Sequence, residues 1–350
     1  MKVTEPKDIS KLIRKNILEL KPYSSARDEY SGSALVFLDA NENPYNDPLN
    51  RYPDPHQKQL KERIAGLKGL PSKYLFLGNG SDEGIDLLFR VLCEPGRDHV
   101  ITVDPTYGMY AVCAGINGVE RRSVLLNKDF SLDPEKVLSA VNKHTKLIFL
   151  CSPNNPTSNS LEREAILQIL DGVNCLVVVD EAYIDFSQDP GLLSLVKERW
   201  NLVILQTLSK AWGLAGIRLG MLFARPELVS YISRVKYPYN LSSLSIDAAL
   251  RGLEDAGERK AWIGKILEER NILTGRLASL SFVQKVYPSD ANFLLVKVDD
   301  PAAVYGFLMK KGIVVRDRSK VPLCEGCLRV TIGTPEENRA LINALNTFQP

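Results

Sequence analysis

The residues best suited to do chemistry lie in one stretch, Thr207-Leu208-Ser209-Lys210-Ala211-Trp212-Gly213-Leu214-Ala215-Gly216-Ile217-Arg218. A single lysine stands among small and hydroxyl residues, and an arginine follows eight positions later. The apolar run Leu202-Val203-Ile204-Leu205-Gln206 leads into it and reads as a strand. An unpaired buried ammonium is costly, so lysine is ordinarily a surface residue. A lysine carried inward by such a strand has a depressed pKa and a nucleophilic amine, which suits covalent chemistry on a carbonyl. A snorkelling lysine at a sheet edge accounts for the same residues, and both readings stand on this stretch alone.

Four other segments join an expected strand end to polar groups. Gly78-Asn79-Gly80-Ser81-Asp82-Glu83-Gly84 connects a strand to a helix. Its glycines permit a tight turn, and the helix N-terminus offers free N–H groups to an anion. Ser81 as an N-cap, with Glu83 in the first turn, explains it without a ligand. Tyr107, in Pro105-Thr106-Tyr107-Gly108, either stacks on a planar ring or fills the core. Asn155 precedes a proline and is held extended or in a turn, aimed at a ligand or closing the turn itself. Asp180 ends the apolar run Val177-Val178-Val179, where an acid is costly unless paired. A cationic ligand group, a helix N-terminus or a metal would serve. No second carboxylate or histidine lies at ligand spacing, so no metal is expected. Tyr183 follows three positions on. Later in the chain, Arg316 and Arg329 sit in apolar strand-like runs, as cross-strand surface partners or as a grip for an anion.

These groups need a rigid frame. Expected strands at 74–77, 99–103, 146–151, 175–179, 202–206 and 218–223 alternate with helices, the first at 81–93. Continuous apolar strands in that alternation argue for an α/β fold with a mainly parallel sheet covered on both faces. After about residue 240 the pattern changes to a long helix at 259–279, strands at 292–298, 313–316 and 327–332, and helices at 301–311 and 335–348. That reads as a smaller α+β unit. The expected organisation is an N-terminal segment over 1–45 packing with the small unit through a helix at 8–16, a large domain over 46–240 and a small domain over 241–350.

Composition narrows the classes. The chain has 350 residues, 45% apolar and 25% charged, with a net charge of +2. That suits a globular protein with a large core and argues against a nucleic-acid surface. No apolar run approaches the roughly 20 residues of a membrane helix, and the start has no signal-like apolar core, so the cytoplasm is the expected location. Of six cysteines, Cys324 and Cys327 form a C-x-x-C without a second ligand pair, and a hairpin turn is the expected reading.

The lysine run resembles the signature of class-II pyridoxal-phosphate aminotransferases of fold type I. The resemblance implies that Lys210 binds the cofactor aldehyde and moves the proton between substrate Cα and cofactor. It implies that Thr207, Ser209, Arg218 and the backbone of Ser81 and Asp82 hold the cofactor phosphate. Tyr107 would cover the ring, Asp180 would meet the pyridine nitrogen, and Asn155 and Tyr183 the phenolic oxygen. The family's N-P-T-G run appears here as Asn155-Pro156-Thr157-Ser158, so a positive φ at Ser158 would strain the turn.

The motifs Leu20-Lys21-Pro22-Tyr23-Ser24-Ser25-Ala26-Arg27, Leu38-Asp39-Ala40-Asn41-Glu42-Asn43-Pro44, Asn50-Arg51-Tyr52-Pro53 and Pro105-Thr106-Tyr107-Gly108-Met109-Tyr110 resemble the histidinol-phosphate aminotransferase family more narrowly. That likeness spans the chain. It implies transamination between histidinol phosphate and 2-oxoglutarate in histidine biosynthesis. Tyr23, Arg316 and Arg329 would take the substrate phosphate, with Arg329 also on the glutamate α-carboxylate. Tyr52 would reach the neighbouring subunit's cofactor phosphate in a homodimer with shared sites. Aromatic aminotransferases and threonine-phosphate decarboxylases would keep Lys210, Asp180 and Asn155 and differ in the pocket. A non-catalytic regulator would carry a basic DNA-binding extension, for which the N-terminus is too short and not basic enough.

Overall fold

The computed structural model describes residues 8–23 and 36–349. Ser24, Ser25, Ala26 and Arg27 of the N-terminal motif lie outside the described residues. Seven strands form the larger sheet: β1 (Leu75–Asn79), β2 (His99–Asp104), β3 (Glu120–Leu125), β4 (Thr145–Cys151), β5 (Leu176–Asp180), β6 (Leu202–Thr207) and β7 (Leu219–Phe223). Their order is β1-β7-β6-β5-β4-β2-β3. Only β7 runs against its neighbours; the ladders from β6 to β3 are parallel. Strands β5 and β6 are buried throughout because both faces are covered. Alternation divides them between two cores, with Val177, Val179 and Ile204 on one face and Leu176, Val178, Val203 and Leu205 on the other.

A second sheet of β8 (Val283–Val286), β9 (Phe293–Val298), β10 (Arg316–Asp317) and β11 (Cys327–Thr331) is antiparallel, in the order β10-β11-β9-β8. One face packs on helices Pro301–Lys310 and Pro335–Leu345 through Leu294, Val296, Leu328, Val330, Leu308 and Ile342. The helix Ala256–Ala278 serves two cores. Ile263, Ile266 and Leu267 pack with Tyr183, Phe186 and Phe293. Leu273 and Leu277, further along, enter the core of the second sheet. Among the described residues no helix is long and apolar enough to cross a membrane.

Three expectations need correction. The expected helix at 8–16 is not one helix, and it packs with the large unit rather than the smaller one. It forms a short 3-10 turn (Ile9–Leu12) and one α-turn (Lys15–Leu18), and Ile9, Ile13 and Ile17 bury in the large sheet's core beside Leu228 and Ile232. The break at Ile13 and Arg14 is tertiary, because the Arg14 N–H donates to Val91 O at 3.0 Å. Residues 313–315 are not strand. Gly312 takes φ 74° and the Ile313 N–H turns back to Leu308 O at 2.9 Å, so this run closes the helix Pro301–Lys310. Strand β3, charged and exposed at the sheet edge, was not expected at all.

Candidate active site

The C-terminal ends of β4, β5 and β6 and the turn after β1 open on one cavity of about 180 Å³. Free strand ends of a parallel sheet are where such folds bind ligands. Ten of the residues singled out from the sequence meet there: Ser81, Asp82, Tyr107, Asn155, Asp180, Tyr183, Thr207, Ser209, Lys210 and Arg218.

One end of the cavity is built for an anion. The helix Gly80–Leu92 starts at Gly80, and its N-cap is Asn79, not Ser81. Glu83 reaches back to accept from the Asn79 N–H. The Gly80 N–H donates to Arg218 O at 2.7 Å. The N–H groups of Ser81 and Asp82 have no acceptor within the helix and border the cavity. The close approach depends on Gly220 in β7, where a Cβ would stand 2.1 Å from Gly80 C and Ser81 N. Gly80 has φ 69°, and a Cβ there would meet Arg218 Nη2 at 2.8 Å. Arg218 itself is left-handed at φ 56°, so β7 begins one residue later than expected. Its Nη2 lies 3.8 Å from Asp82 Oδ2. The Thr207 hydroxyl lies 3.0 Å from Ser209 Oγ and accepts from the Ser209 N–H at 3.1 Å, fixing the turn into Lys210.

Asp180 lies at the buried end of β5 with 3% of its surface exposed. Tyr110 Oη donates to its Oδ2 at 2.8 Å and the Ala182 N–H to its Oδ1 at 3.1 Å. Burial outweighs these bonds and raises its pKa to about 6. Tyr110 was not picked out as a site residue from the sequence; an aromatic three positions after Tyr107 on a helix looks like core. Tyr107 stands edge-on to Tyr110 at 5.7 Å between centroids and donates to Asp82 Oδ1 at 3.1 Å. Burial and that carboxylate push its phenol well above the ordinary range.

Asn155 links the two units. Its Nδ2 donates to Tyr183 Oη at 3.4 Å, and its Oδ1 accepts from Arg329 Nη1 at 2.6 Å. Ser158 does take a positive φ, 68°. Its hydroxyl lies 2.5 Å from Thr157 O and 3.2 Å from Pro288 O, which offsets the strain.

Lys210 follows the strand but is not carried into the interior; it opens onto the cavity, with Nζ 5.5 Å from the Tyr183 ring centroid. Protein still surrounds its ammonium closely enough that desolvation, then Arg329, lowers its pKa, against the pull of Asp180. Behind it, Trp212 is buried under the Arg259 guanidinium at 4.1 Å, and Arg259 Nη1 pairs with Asp185 at 3.2 Å.

The remaining expected residues lie outside this cavity. Arg316 faces Arg329 across β10 and β11 and is exposed. Tyr23 is 70% exposed. Tyr52 stacks on Tyr239 at 4.5 Å. Cys324 and Cys327 are free, buried thiols at the turn before β11, as a hairpin requires.

Pyridoxal phosphate fits these residues on two observations. The helix N-terminus that borders the cavity is positioned by two glycines, since a Cβ at Gly220 would strike the Gly80–Ser81 backbone and one at Gly80 would strike Arg218. A buried carboxylate, Asp180, lines the same cavity with its pKa raised to about 6 by burial, and a cationic ring nitrogen would suit it. Fold and site together define the fold-type-I class of pyridoxal-phosphate enzymes. The chain belongs to the aminotransferase class I and II family, whose model matches residues 35–345. A histidinol-phosphate aminotransferase of Parabacteroides distasonis is 56% identical over 343 residues, 98% of this chain and 99% of that one. One from Bacteroides thetaiotaomicron is 52% identical over 344 residues, with 98% and 99% covered. The crystal structure of the histidinol-phosphate aminotransferase from Sinorhizobium meliloti in complex with pyridoxal-5'-phosphate has a TM-score of 0.78 at 27% identity, covering 84% of this chain and 82% of that one.

Proposed function

We propose that this chain transfers an amino group between L-histidinol phosphate and 2-oxoglutarate, with L-glutamate and imidazole-acetol phosphate as the reverse pair, in histidine biosynthesis. The observation that carries the substrate half is the Arg316–Arg329 pair across β10 and β11, joined to the cavity by the Arg329–Asn155 bond. Two guanidiniums suit a phosphate dianion, and one of them suits a carboxylate. Relatives of that name at 52–56% identity support the reading.

Bound pyridoxal phosphate supplies an electron sink for the substrate carbanion and carries the amino group between half-reactions. The protein supplies the rest. Lys210 would hold the cofactor aldehyde. Its lowered pKa favours the free amine, so Nζ would take the proton from substrate Cα and deliver it to the cofactor's aldehyde carbon. Asp180 would hold the proton on the pyridine nitrogen, and Tyr110 keeps that carboxylate oriented. Asn155 and Tyr183 would meet the phenolic oxygen, and Tyr107 would cover the ring. The N–H groups of Ser81 and Asp82, with Thr207, Ser209 and Arg218, would hold the phosphate.

The same reading includes a homodimer, a cytoplasmic location and a division into 46–240 and 241–350. Val36, Leu38, Tyr45 and Tyr237 are 70%, 91%, 78% and 76% exposed. Exposed apolar groups in that number suit a second copy of the chain. Tyr52 would then complete the partner's site, and Tyr23 would join the arginines on the substrate phosphate.

The test is the half-reaction. L-Histidinol phosphate added to the purified holoenzyme without keto acid should bleach the visible cofactor absorbance, with phenylalanine and threonine phosphate much weaker. Bleaching by aromatic amino acids alone would keep the cofactor chemistry and discard the histidine-pathway substrate.

A further inference from the structure

The smaller sheet turns one face to its own helices and the other to the large unit, where Arg329 bonds Asn155 of the cavity lining. Alternation along β11 sends Leu328 and Val330 into the helix-covered core and leaves Cys327 and Arg329 on the opposite side. Strand β10 pairs with it so that Arg316 faces Arg329 and Asp317 faces Leu328. The Arg318 N–H continues that register, donating to Cys327 O at 2.9 Å. Arg316, Arg318 and Arg329 therefore share one face of the sheet, the face from which Arg329 reaches Asn155. Neighbouring residues agree, since Phe293 on β9 packs against Tyr183 on this same side at 5.1 Å between centroids.

Nothing in the fold explains Arg318. Its Nε is wholly buried and has no hydrogen-bond partner. Desolvation, then the charges of Arg329 and Arg316, weaken its hold on its proton, so the three cations lie within one another's field. Among the described residues none of the three forms an ion pair with a carboxylate. A guanidinium with a buried, unpaired N–H beside two like charges is unfavourable until an anion arrives.

We propose that Arg318 is a third guanidinium ligand for the substrate phosphate, and that it sets this site's preference for a phosphate dianion over a carboxylate. This rests on the histidinol-phosphate reading above. A phosphate monoester offers three peripheral oxygens and two negative charges, enough to engage three guanidiniums. A carboxylate offers two oxygens and one charge. It leaves one fork idle and two positive charges uncompensated.

The experiment compares holoenzyme of the native sequence with Arg318→Gln and Arg318→Lys. Steady-state constants are measured separately for L-histidinol phosphate and L-glutamate, and binding of inorganic phosphate by calorimetry. Arg318→Gln should raise KM for L-histidinol phosphate about tenfold or more and weaken inorganic phosphate similarly, as loss of a charged hydrogen bond does. KM for L-glutamate should stay within about twofold. Arg318→Lys should recover part of the loss by restoring the charge without the fork. Equal changes for both substrates, or none for either, would overturn the proposal and leave Arg318 a structural residue. Native holoenzyme that ignores L-histidinol phosphate yet binds inorganic phosphate through Arg318 would sink the substrate reading and support the anion site.

Discussion

Burial raises the pKa of Asp180 to about 6, against 3.8 for an ordinary aspartate, despite the bonds from Tyr110 and Ala182 and the pull of Lys210. A folded pKa above the unfolded value means the folded chain holds the proton more tightly. Stability from this group is therefore present below about pH 4 and is lost as the pH rises through about 6, by roughly 3 kcal/mol. Glu181, buried beside it with a pKa raised to about 7, adds to the same trend and completes it slightly higher. In the cofactor-free protein Asp180→Asn should raise the melting temperature at pH 8 and leave it nearly unchanged at pH 4. The same variant should lose at least about a hundredfold in kcat and release cofactor readily. Equal destabilisation at both pH values would make Asp180 a structural partner instead. Its site was legible in the sequence because it is an acid closing a wholly apolar strand. Tyr110 and Arg318 were not, since an aromatic on a helix and an arginine in a hairpin are ordinary in those places. Only the partners they meet distinguish them.

At the scale of elements, the anion cradle depends on the approach of β7 to the first turn of the helix Gly80–Leu92. Gly220→Ala would put a methyl group 2.1 Å from that backbone and force the two apart. Cofactor affinity should fall at least about tenfold and stability by a few kcal/mol, a loss readable by cofactor titration and thermal melting. Retained affinity would mean the phosphate is held elsewhere. The strands that build the cavity floor could be read from sequence because they are continuous apolar runs of the length a buried parallel sheet requires. Strand β3 escaped, since Glu120, Arg121 and Arg122 face water at an edge and leave no apolar period. The run Ile313-Val314-Val315 misled for the opposite reason. It is apolar, but Ile313 closes a helix and Val314 is 75% exposed.

At the scale of the whole molecule, the lining of one chain's cavity does not include Tyr52. If a partner supplies it, two defective chains should repair each other. A mixture of Lys210→Ala and Tyr52→Ala chains, refolded together, would give heterodimers with one doubly damaged site and one intact site. Activity above that of either variant alone is expected, and its absence would remove the shared-site dimer. Side-chain motifs in the sequence suggested such sharing, but the chain pattern carries no record of which surface a second copy covers.

The helix Ala256–Ala278 also bears on how this protein can be cut. Its first half is seated against Phe186 and Phe293, and its later residues Leu273 and Leu277 belong to the other core. A fragment ending before residue 256 would bare the apolar side of Phe186 and lift the Arg259 guanidinium from Trp212, two residues from Lys210. A fragment beginning there would carry half a helix that keeps Phe293 but loses Tyr183 and Phe186. The smaller unit is thus a region of the architecture that cannot be excised as a module, and fusions or circular permutations belong in its surface turns.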